Sequence, residues 1–241
     1  MAKYAMLVDL NRCVDCQACT VACQAQYGLE PDKRFTTVRR YEWGTYPDVQ
    51  GAFVTTQCMH CDKPPCAEVC PTGASYKHQD GAVLIDESRC IGCRYCLTAC
   101  PYDARVYDET KKVARKCSFC YAEVAKGKAP ACGKTCMAGA RIFGDLDNPS
   151  SDIAKAVAGK GVVKIAGTSI YYAVPRSLER SYLPKDGEVP AYVSAWQGFV
   201  QPAGKALLGG VAGVVVLAAL ANNLRSHGEK SASGEEGSSH D

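Results

Sequence analysis

Sixteen cysteines stand out in this chain of 241 residues, and they fall into four groups. The first is Cys13, Cys16, Cys19 and Cys23, the second Cys58, Cys61, Cys66 and Cys70. The third is Cys90, Cys93, Cys96 and Cys100, the fourth Cys117, Cys120, Cys132 and Cys136. An even number of cysteines fits either a disulfide scaffold or thiolate ligation of metal. Disulfide scaffolds are typically small secreted domains, whereas this chain is long and its cysteines are tightly bunched. The grouping points to metal, with thiolate sulfur as the ligand.

Groups one and three share the spacing C-x2-C-x2-C-x3-C. A loop of that kind can wrap three thiolates around one face of a 4Fe-4S cubane. The fourth must come from elsewhere, and in two-cluster bacterial ferredoxins the last cysteine of each run serves the other cluster. Pro71 and Pro101, directly after Cys70 and Cys100, fit that pattern. Exchange between groups two and three predicts one cluster on Cys58, Cys61, Cys66 and Cys100 and another on Cys70, Cys90, Cys93 and Cys96. The same exchange between groups one and four predicts clusters on Cys13, Cys16, Cys19 and Cys136 and on Cys23, Cys117, Cys120 and Cys132. Here Gln24 and Met137 follow the last cysteines instead of proline. The alternative metal is structural zinc, whose ribbons use separated C-x2-C knuckles rather than a triple loop.

The segments that must position these ligands repeat as well. Ala5-Met6-Leu7-Val8-Asp9 precedes group one as Ala82-Val83-Leu84-Ile85-Asp86 precedes group three, and Arg12 matches Arg89. Three exit sequences run Cys70-Pro71-Thr72-Gly73-Ala74, Cys100-Pro101-Tyr102-Asp103-Ala104 and Cys136-Met137-Ala138-Gly139-Ala140. Internal duplication explains both. Short apolar or alternating runs at 51–55, 82–85 and 105–107 read as strands. A turn at Glu109-Thr110-Lys111 reads as a hairpin leading to Cys117, and a short helical turn is expected between the second and fourth cysteines. The expected fold is α+β: two nested two-cluster ferredoxin-like units followed by one C-terminal transmembrane helix. Residues 1–150 form the four-cluster domain, with an inner unit at 50–105 inserted in an outer unit of 1–48 and 106–148. So small an apolar core implies that metal supplies much of the folding free energy and that the apo chain does not fold.

Composition excludes several classes. Apolar residues at 47% fit a folded chain, and a net charge of +3 implies neither nucleic acid nor an acidic partner. No Ser-His-Asp order, phosphate-binding glycine loop or flavin fingerprint is present, so no organic substrate site is expected and the chain reads as non-catalytic. His60 could replace a thiolate, but sixteen cysteines already satisfy four clusters, which leaves it a hydrogen-bonding or solvated role; His78 reads the same way. Arg12, Arg89, Arg94, Arg115 and Lys116 could raise cluster potentials or meet a partner, although charged residues beside cysteines often merely face solvent. Arg39-Arg40 is internal and reads as a surface pair, and no secretory signal precedes it.

Residues 151–203 lack cysteine but keep β-branched and aromatic runs, and are expected to pack on the domain or on a partner. Residues 206–221 carry no charge. As a helix they span about 24 Å, against a hydrocarbon core of about 30 Å. Asn222, Asn223 and Leu224 with a snorkelling Lys205 extend the span, and Trp196 and Phe199 suit the interface. A single anchor at 204–224 is expected, with Gly209 and Gly213 as a helix-docking face and a buried or interfacial helix as the alternative. Residues 225–241 are polar and read as disordered. Arg225 and Lys230 after the span, against Lys205 before it, place the cluster domain on the extracytoplasmic, periplasmic face.

In order and spacing, the four cysteine groups resemble the iron-sulfur electron-transfer subunit of the dimethyl sulfoxide reductase family of molybdopterin oxidoreductases, over residues 2–144. The C-terminal helix is similar to the anchor of formate dehydrogenase β subunits. The resemblance implies four 4Fe-4S clusters that carry electrons between a molybdopterin (Mo/W) catalytic subunit and a polytopic, quinone-reactive or cytochrome b type membrane subunit. It puts the cluster on Cys13, Cys16, Cys19 and Cys136 nearest the catalytic subunit and that on Cys70, Cys90, Cys93 and Cys96 nearest the membrane. It also implies export alongside a catalytic partner that carries a twin-arginine signal. A nickel-iron hydrogenase complex is the alternative home for such a chain.

Overall fold

The computed structural model describes residues 2–186 and 191–195. In chain order the elements are β1 (Tyr4–Asp9), α1 (Ala18–Tyr27), β2 (Thr36–Trp43), β3 (Gln50–Gln57), α2 (Pro65–Glu68), β4 (Ser75–Lys77) and β5 (Val83–Ile85). They continue with α3 (Tyr95–Thr98), β6 (Arg105–Asp108), β7 (Val113–Lys116), α4 (Tyr121–Val124), α5 (Ala131–Lys134) and β8 (Arg141–Asp145). The last are α6 (Asp152–Val157), β9 (Val162–Lys164), β10 (Ile170–Ala173) and α7 (Ala191–Ala195). Content is mixed α/β. The anchor expected at 204–224 lies outside the described residues, and among those described no helix is long and apolar enough to cross a membrane.

β1 is the centre of the largest sheet, whose order is β8-β1-β10-β9. Its apolar run is buried on both faces, as a central strand with cover on each side must be. Met6 and Val8 enter the main core, while Ala5 and Leu7 meet Ile153 of α6 on the other side. β8 pairs antiparallel with β1, and β10 pairs parallel with it. The described part of 151–203 therefore contributes two strands to the sheet that carries group one. Tyr172 of β10 also donates its hydroxyl to the Thr55 carbonyl on β3 at 2.8 Å, tying the β2–β3 hairpin down.

The sequence repeat is also a repeat of strand pairing. Each exit sequence enters a strand at the fifth residue after its cysteine: Ser75 opens β4, Arg105 opens β6 and Arg141 opens β8. Val8 faces Arg141 across the outer pair, and Ile85, its counterpart in the repeat, faces Ser75 across the inner pair. The next bond matches too, since Asp9 N–H donates to Ala140 O at 2.7 Å and Asp86 N–H donates to Ala74 O at 2.8 Å.

The boundary expected between inner and outer units lies at a hairpin. Position 105/106 falls inside β6, and the β6–β7 hairpin packs Ala114 against Val83, Cys66 and Cys96 of the inner unit. A break there would strip a small ferredoxin-like unit of part of its apolar cover.

Ile153 is fully buried beneath β1. Ile153→Ala is expected to destabilise the protein by about 2–5 kcal/mol through the lost side chain and the cavity left behind. Heating followed by circular dichroism should show a midpoint several degrees lower, while the iron content of the unheated protein stays at the parent level.

Candidate metal centres

The C-x2-C loops are built on left-handed backbone. The residue two beyond the first cysteine of every group has positive φ: Asp15, His60, Gly92 and Phe119. All but Lys112 of the non-glycine residues with positive φ lie in these loops or in an exit sequence. Such backbone is unfavourable for residues with a Cβ and persists only where the surroundings enforce it. Backbone that alternates hand in this way is the kind from which anion-binding nests are made, and such nests are common at Fe–S sites. The exits contribute in the same way: Ala140 N–H donates to Cys136 Sγ at 3.2 Å and Ser75 N–H to Cys70 Sγ at 3.4 Å. Gly139 has φ +57, a conformation that strains any residue with a Cβ, and the Arg12 guanidinium lies against it, 2.6 Å from where a Cβ would stand.

The third cysteine of groups two, three and four sits on a one-turn helix, Cys66 on α2, Cys96 on α3 and Cys132 on α5, and the fourth lies just past its end. In group one the longer α1 carries Cys19 and Cys23 on one buried side, four residues apart. The short helical turn expected between second and fourth cysteines is thus present in each group.

Cysteines from different groups meet. Cys13, Cys16, Cys19 and Cys136 line one cavity with about 370 Å³ of empty space, its mouth included. Cys70, Cys90, Cys93 and Cys96 line another of about 340 Å³. Cys61 lies among Cys58, Cys66 and Cys100, and burial together with the repulsion of their charges pushes its thiol up to about 12. Burial, then Cys132 and Cys120, push Cys23 up to about 12, and burial with Cys23 and Cys132 raises Cys117. Cys70 is the exception. Burial is the largest influence on it and raises it, yet hydrogen bonds from Ser75, Thr72 and Ala74 together hold it below the usual thiol value. Among the described residues no three His, Cys, Asp or Glu side chains converge closely enough for a single metal ion.

These four sets form a row. Cys19 of the first set lies near Cys132 of the second, Cys117 of the second near Cys58 of the third, and Cys66 of the third near Cys96 of the fourth. Only Cys16 and Cys93, in the first and last sets, are exposed, and the second set is buried throughout. Beside these ends Val14, Met137 and Ile91 stand open to solvent.

Other residues singled out by sequence fall into place. His60 is fully buried, with Nδ1 accepting from Val83 N–H at 2.9 Å and its ring stacked on Phe119 at 3.5 Å, so its role is hydrogen bonding and packing rather than solvation. Burial, with Lys116 and Arg105 nearby, lowers its basicity far below the usual value. His78 pairs with Asp80 at 2.9 Å. Arg115 and Lys116 are buried rather than solvent-facing. Arg105 and Arg141 were invisible to motif reasoning, although both occupy the fifth position after an exit cysteine. Burial opposes their charge, but nearby cysteine sulfurs outweigh it and hold both above the usual arginine value.

Two family models for a 4Fe-4S dicluster domain match the chain, over residues 12–74 and 49–146. The B subunit of sulfite dehydrogenase from Allochromatium vinosum is 39% identical over 183 residues, covering 67% of this chain and 76% of that protein. The B component of anaerobic dimethyl sulfoxide reductase from Escherichia coli is 40% identical, covering 60% and 75%. The protein belongs to the iron-sulfur subunits of the dimethyl sulfoxide reductase family. The B subunit of tetrathionate reductase from Salmonella typhimurium is 44% identical over 154 residues, and the chain covers 62% of its length. Family membership makes this an iron-sulfur electron-transfer subunit with 4Fe-4S clusters, and the cavities lined by cysteines, with N–H groups of Ala140 and Ser75 on the sulfurs of Cys136 and Cys70, fit such clusters.

Gly92, at φ +69, tests the loop geometry, because a Cβ there would lie 2.5 Å from the Lys112 carbonyl oxygen. Gly92→Ala is expected to disrupt the cysteine set Cys70, Cys90, Cys93 and Cys96 and to leave the other three sets in place. Iron analysis should show a partial loss, with one electron paramagnetic resonance signal gone and the remaining signals unchanged.

Proposed function

We propose that the chain is a non-catalytic wire of four 4Fe-4S clusters. Their ligands would be Cys13, Cys16, Cys19 and Cys136; Cys23, Cys117, Cys120 and Cys132; Cys58, Cys61, Cys66 and Cys100; and Cys70, Cys90, Cys93 and Cys96. The single observation that carries this is the row of four cysteine sets, open to solvent at its two ends and closed in the middle. Each cluster, when bound, supplies a one-electron redox centre, and the protein's part is to hold, insulate and space such centres. Buried Cys23, Cys117, Cys120 and Cys132 keep water from the middle of the row, while exposed Cys16 and Cys93 bring its ends within reach of other proteins.

The partners follow from the family. The relatives are named as B components of tetrathionate reductase, sulfite dehydrogenase and dimethyl sulfoxide reductase, so a catalytic subunit is the counterpart at one end. We assign the Cys13 end to a molybdopterin subunit and the Cys93 end to a quinone-reactive membrane subunit. Residues 204–224 would anchor the chain, with the cluster domain on the periplasmic face.

Anaerobic purification from the native membrane tests this. The expected product is brown, holds about sixteen iron atoms per chain, four for each cubane, is bleached by dithionite and arrives with a large molybdopterin subunit. A colourless zinc protein would end the cluster reading, and arrival with a nickel-iron subunit would move the chain to a hydrogenase. Orientation is tested separately, by protease added to intact spheroplasts: digestion of the cluster domain is expected, and protection would place it on the cytoplasmic face.

A further inference from the structure

Each junction in the row of cysteine sets holds one buried basic side chain that no carboxylate among the described residues meets. Between the first and second sets stands Arg141, 6% exposed. Its Nη2 donates to Gln57 Oε1 at 2.8 Å and lies 3.1 Å from Met6 Sδ, while Nε and Nη1 are sealed from solvent without an acceptor. Between the third and fourth sets stands Arg105, 4% exposed. Its Nη2 donates to Cys66 Sγ at 2.7 Å and Ser75 Oγ at 2.8 Å, and again Nε and Nη1 find no acceptor. At the middle junction Lys116 donates from Nζ to the carbonyls of Val83 and Cys117. Val83 in turn holds His60, two residues beyond Cys58.

The fold does supply carboxylates to other buried cations. Arg115, next to Lys116 and similarly buried, pairs with Asp108 at 3.1 Å and Glu87 at 3.4 Å. Among the described residues no such pair reaches Arg105, Lys116 or Arg141. A buried charge without a partner is strongly unfavourable, so an opposite charge must stand nearby in the working protein. What faces the arginines is sulfur: Cys132, Cys19 and Cys117 around Arg141, and Cys66, Cys96, Cys58 and Cys100 around Arg105. In both cases the sulfurs come from two adjacent sets.

We propose that Arg141, Lys116 and Arg105 are the fixed counter-charges of the cluster row, one at each junction, and that each holds up the reduction potentials of the two clusters it separates. The proposal rests on the four-cluster reading. A cubane on four thiolates is anionic, and one-electron reduction adds one further negative charge with no bond made or broken in the protein. A guanidinium does not lose its proton, so its stabilisation of the reduced state is permanent. Burial in a poorly screened interior strengthens that effect, and charge and hydrogen bonding near the sulfurs are recognised controls of cluster potential. A cation shared by two neighbours moves both potentials together, which keeps the step between them small.

The test is a potentiometric titration of the native complex, followed by electron paramagnetic resonance, for Arg141→Gln, Lys116→Gln and Arg105→Gln. With full iron content, each variant should lower the potentials of two clusters and leave the other two in place. The expected size is about a tenfold change in the ratio of reduced to oxidised cluster, ~59 mV for one electron. Arg141→Lys and Arg105→Lys should return to parental potentials. No shift, or an equal shift of all four, in a variant with full iron overturns the proposal. Where a Gln variant loses iron, the charge-retaining variant (Lys for the arginines, Arg for Lys116) decides: parental iron and potentials sustain the counter-charge role, and loss of iron in both shows that shape is required and overturns it. A parent protein without four clusters would instead refute the cluster reading.

Discussion

Three thiolates from one short loop cannot close around a cubane, so the fourth must be carried in from a distant part of the chain. Much of this architecture follows from that constraint. Each loop needs a partner segment whose exit cysteine reaches it, and the partner must be held in register. The antiparallel pairs β1–β8 and β4–β5 do this, with Val8 opposite Arg141 and Ile85 opposite Ser75. A slip of one residue would reverse the faces of the exit strand. It would also move the cysteine five residues upstream away from the loop it completes. The matching bonds from Asp9 and Asp86 to Ala140 and Ala74 fix the corner where strand gives way to exit loop.

The same constraint explains where the backbone departs from comfort. Left-handed residues gather at the cysteine loops, and two of them, His60 and Phe119, are large side chains that stack on each other. They occupy equivalent positions in groups two and four, so the stack is a contact between copies of one motif, at the point where Cys58 and Cys117 approach. Packing of the rings helps to hold two strained loops at once. Backbone of this hand persists only where the surroundings enforce it, and it is the kind from which anion-binding nests are built.

Much of this was legible in sequence. The C-x2-C-x2-C-x3-C runs, the Pro71 and Pro101 exits and the duplicated Ala5–Asp9 pattern carry cluster chemistry directly, because ligand spacing is a local property. The strands at 51–55, 82–85 and 105–107 were also readable as short apolar or alternating runs. What escaped was long-range. Nothing local to Val162–Lys164 or Ile170–Ala173 says that β10 lies parallel to β1. Nothing local to the β6–β7 hairpin says that Ala114 packs against Val83, Cys66 and Cys96 while Val106 joins the main core. Arg105 and Arg141 were passed over because an arginine opening a strand ordinarily reads as a surface residue. The exit repeat held the only signal, at the position after its shared alanine.

Burial of cysteine and burial of charge together tie assembly to folding. Cys19, Cys23, Cys58, Cys117 and Cys132 belong to the main apolar core alongside Met6, Val8 and Tyr172. Burial pushes Cys19, Cys23 and Cys117 towards the neutral thiol, and a neutral thiol has no charge to set against Arg141. A neutral thiol set around an uncompensated guanidinium is a poor core. Clusters on these thiolates would supply the negative charge that Arg141 and Arg105 face. Cluster binding free energy is then folding free energy, and the groups that set the potentials are those that make the interior stable. A neutral substitution at a junction therefore acts on both, so iron content has to be read before any shift in potential is assigned to charge.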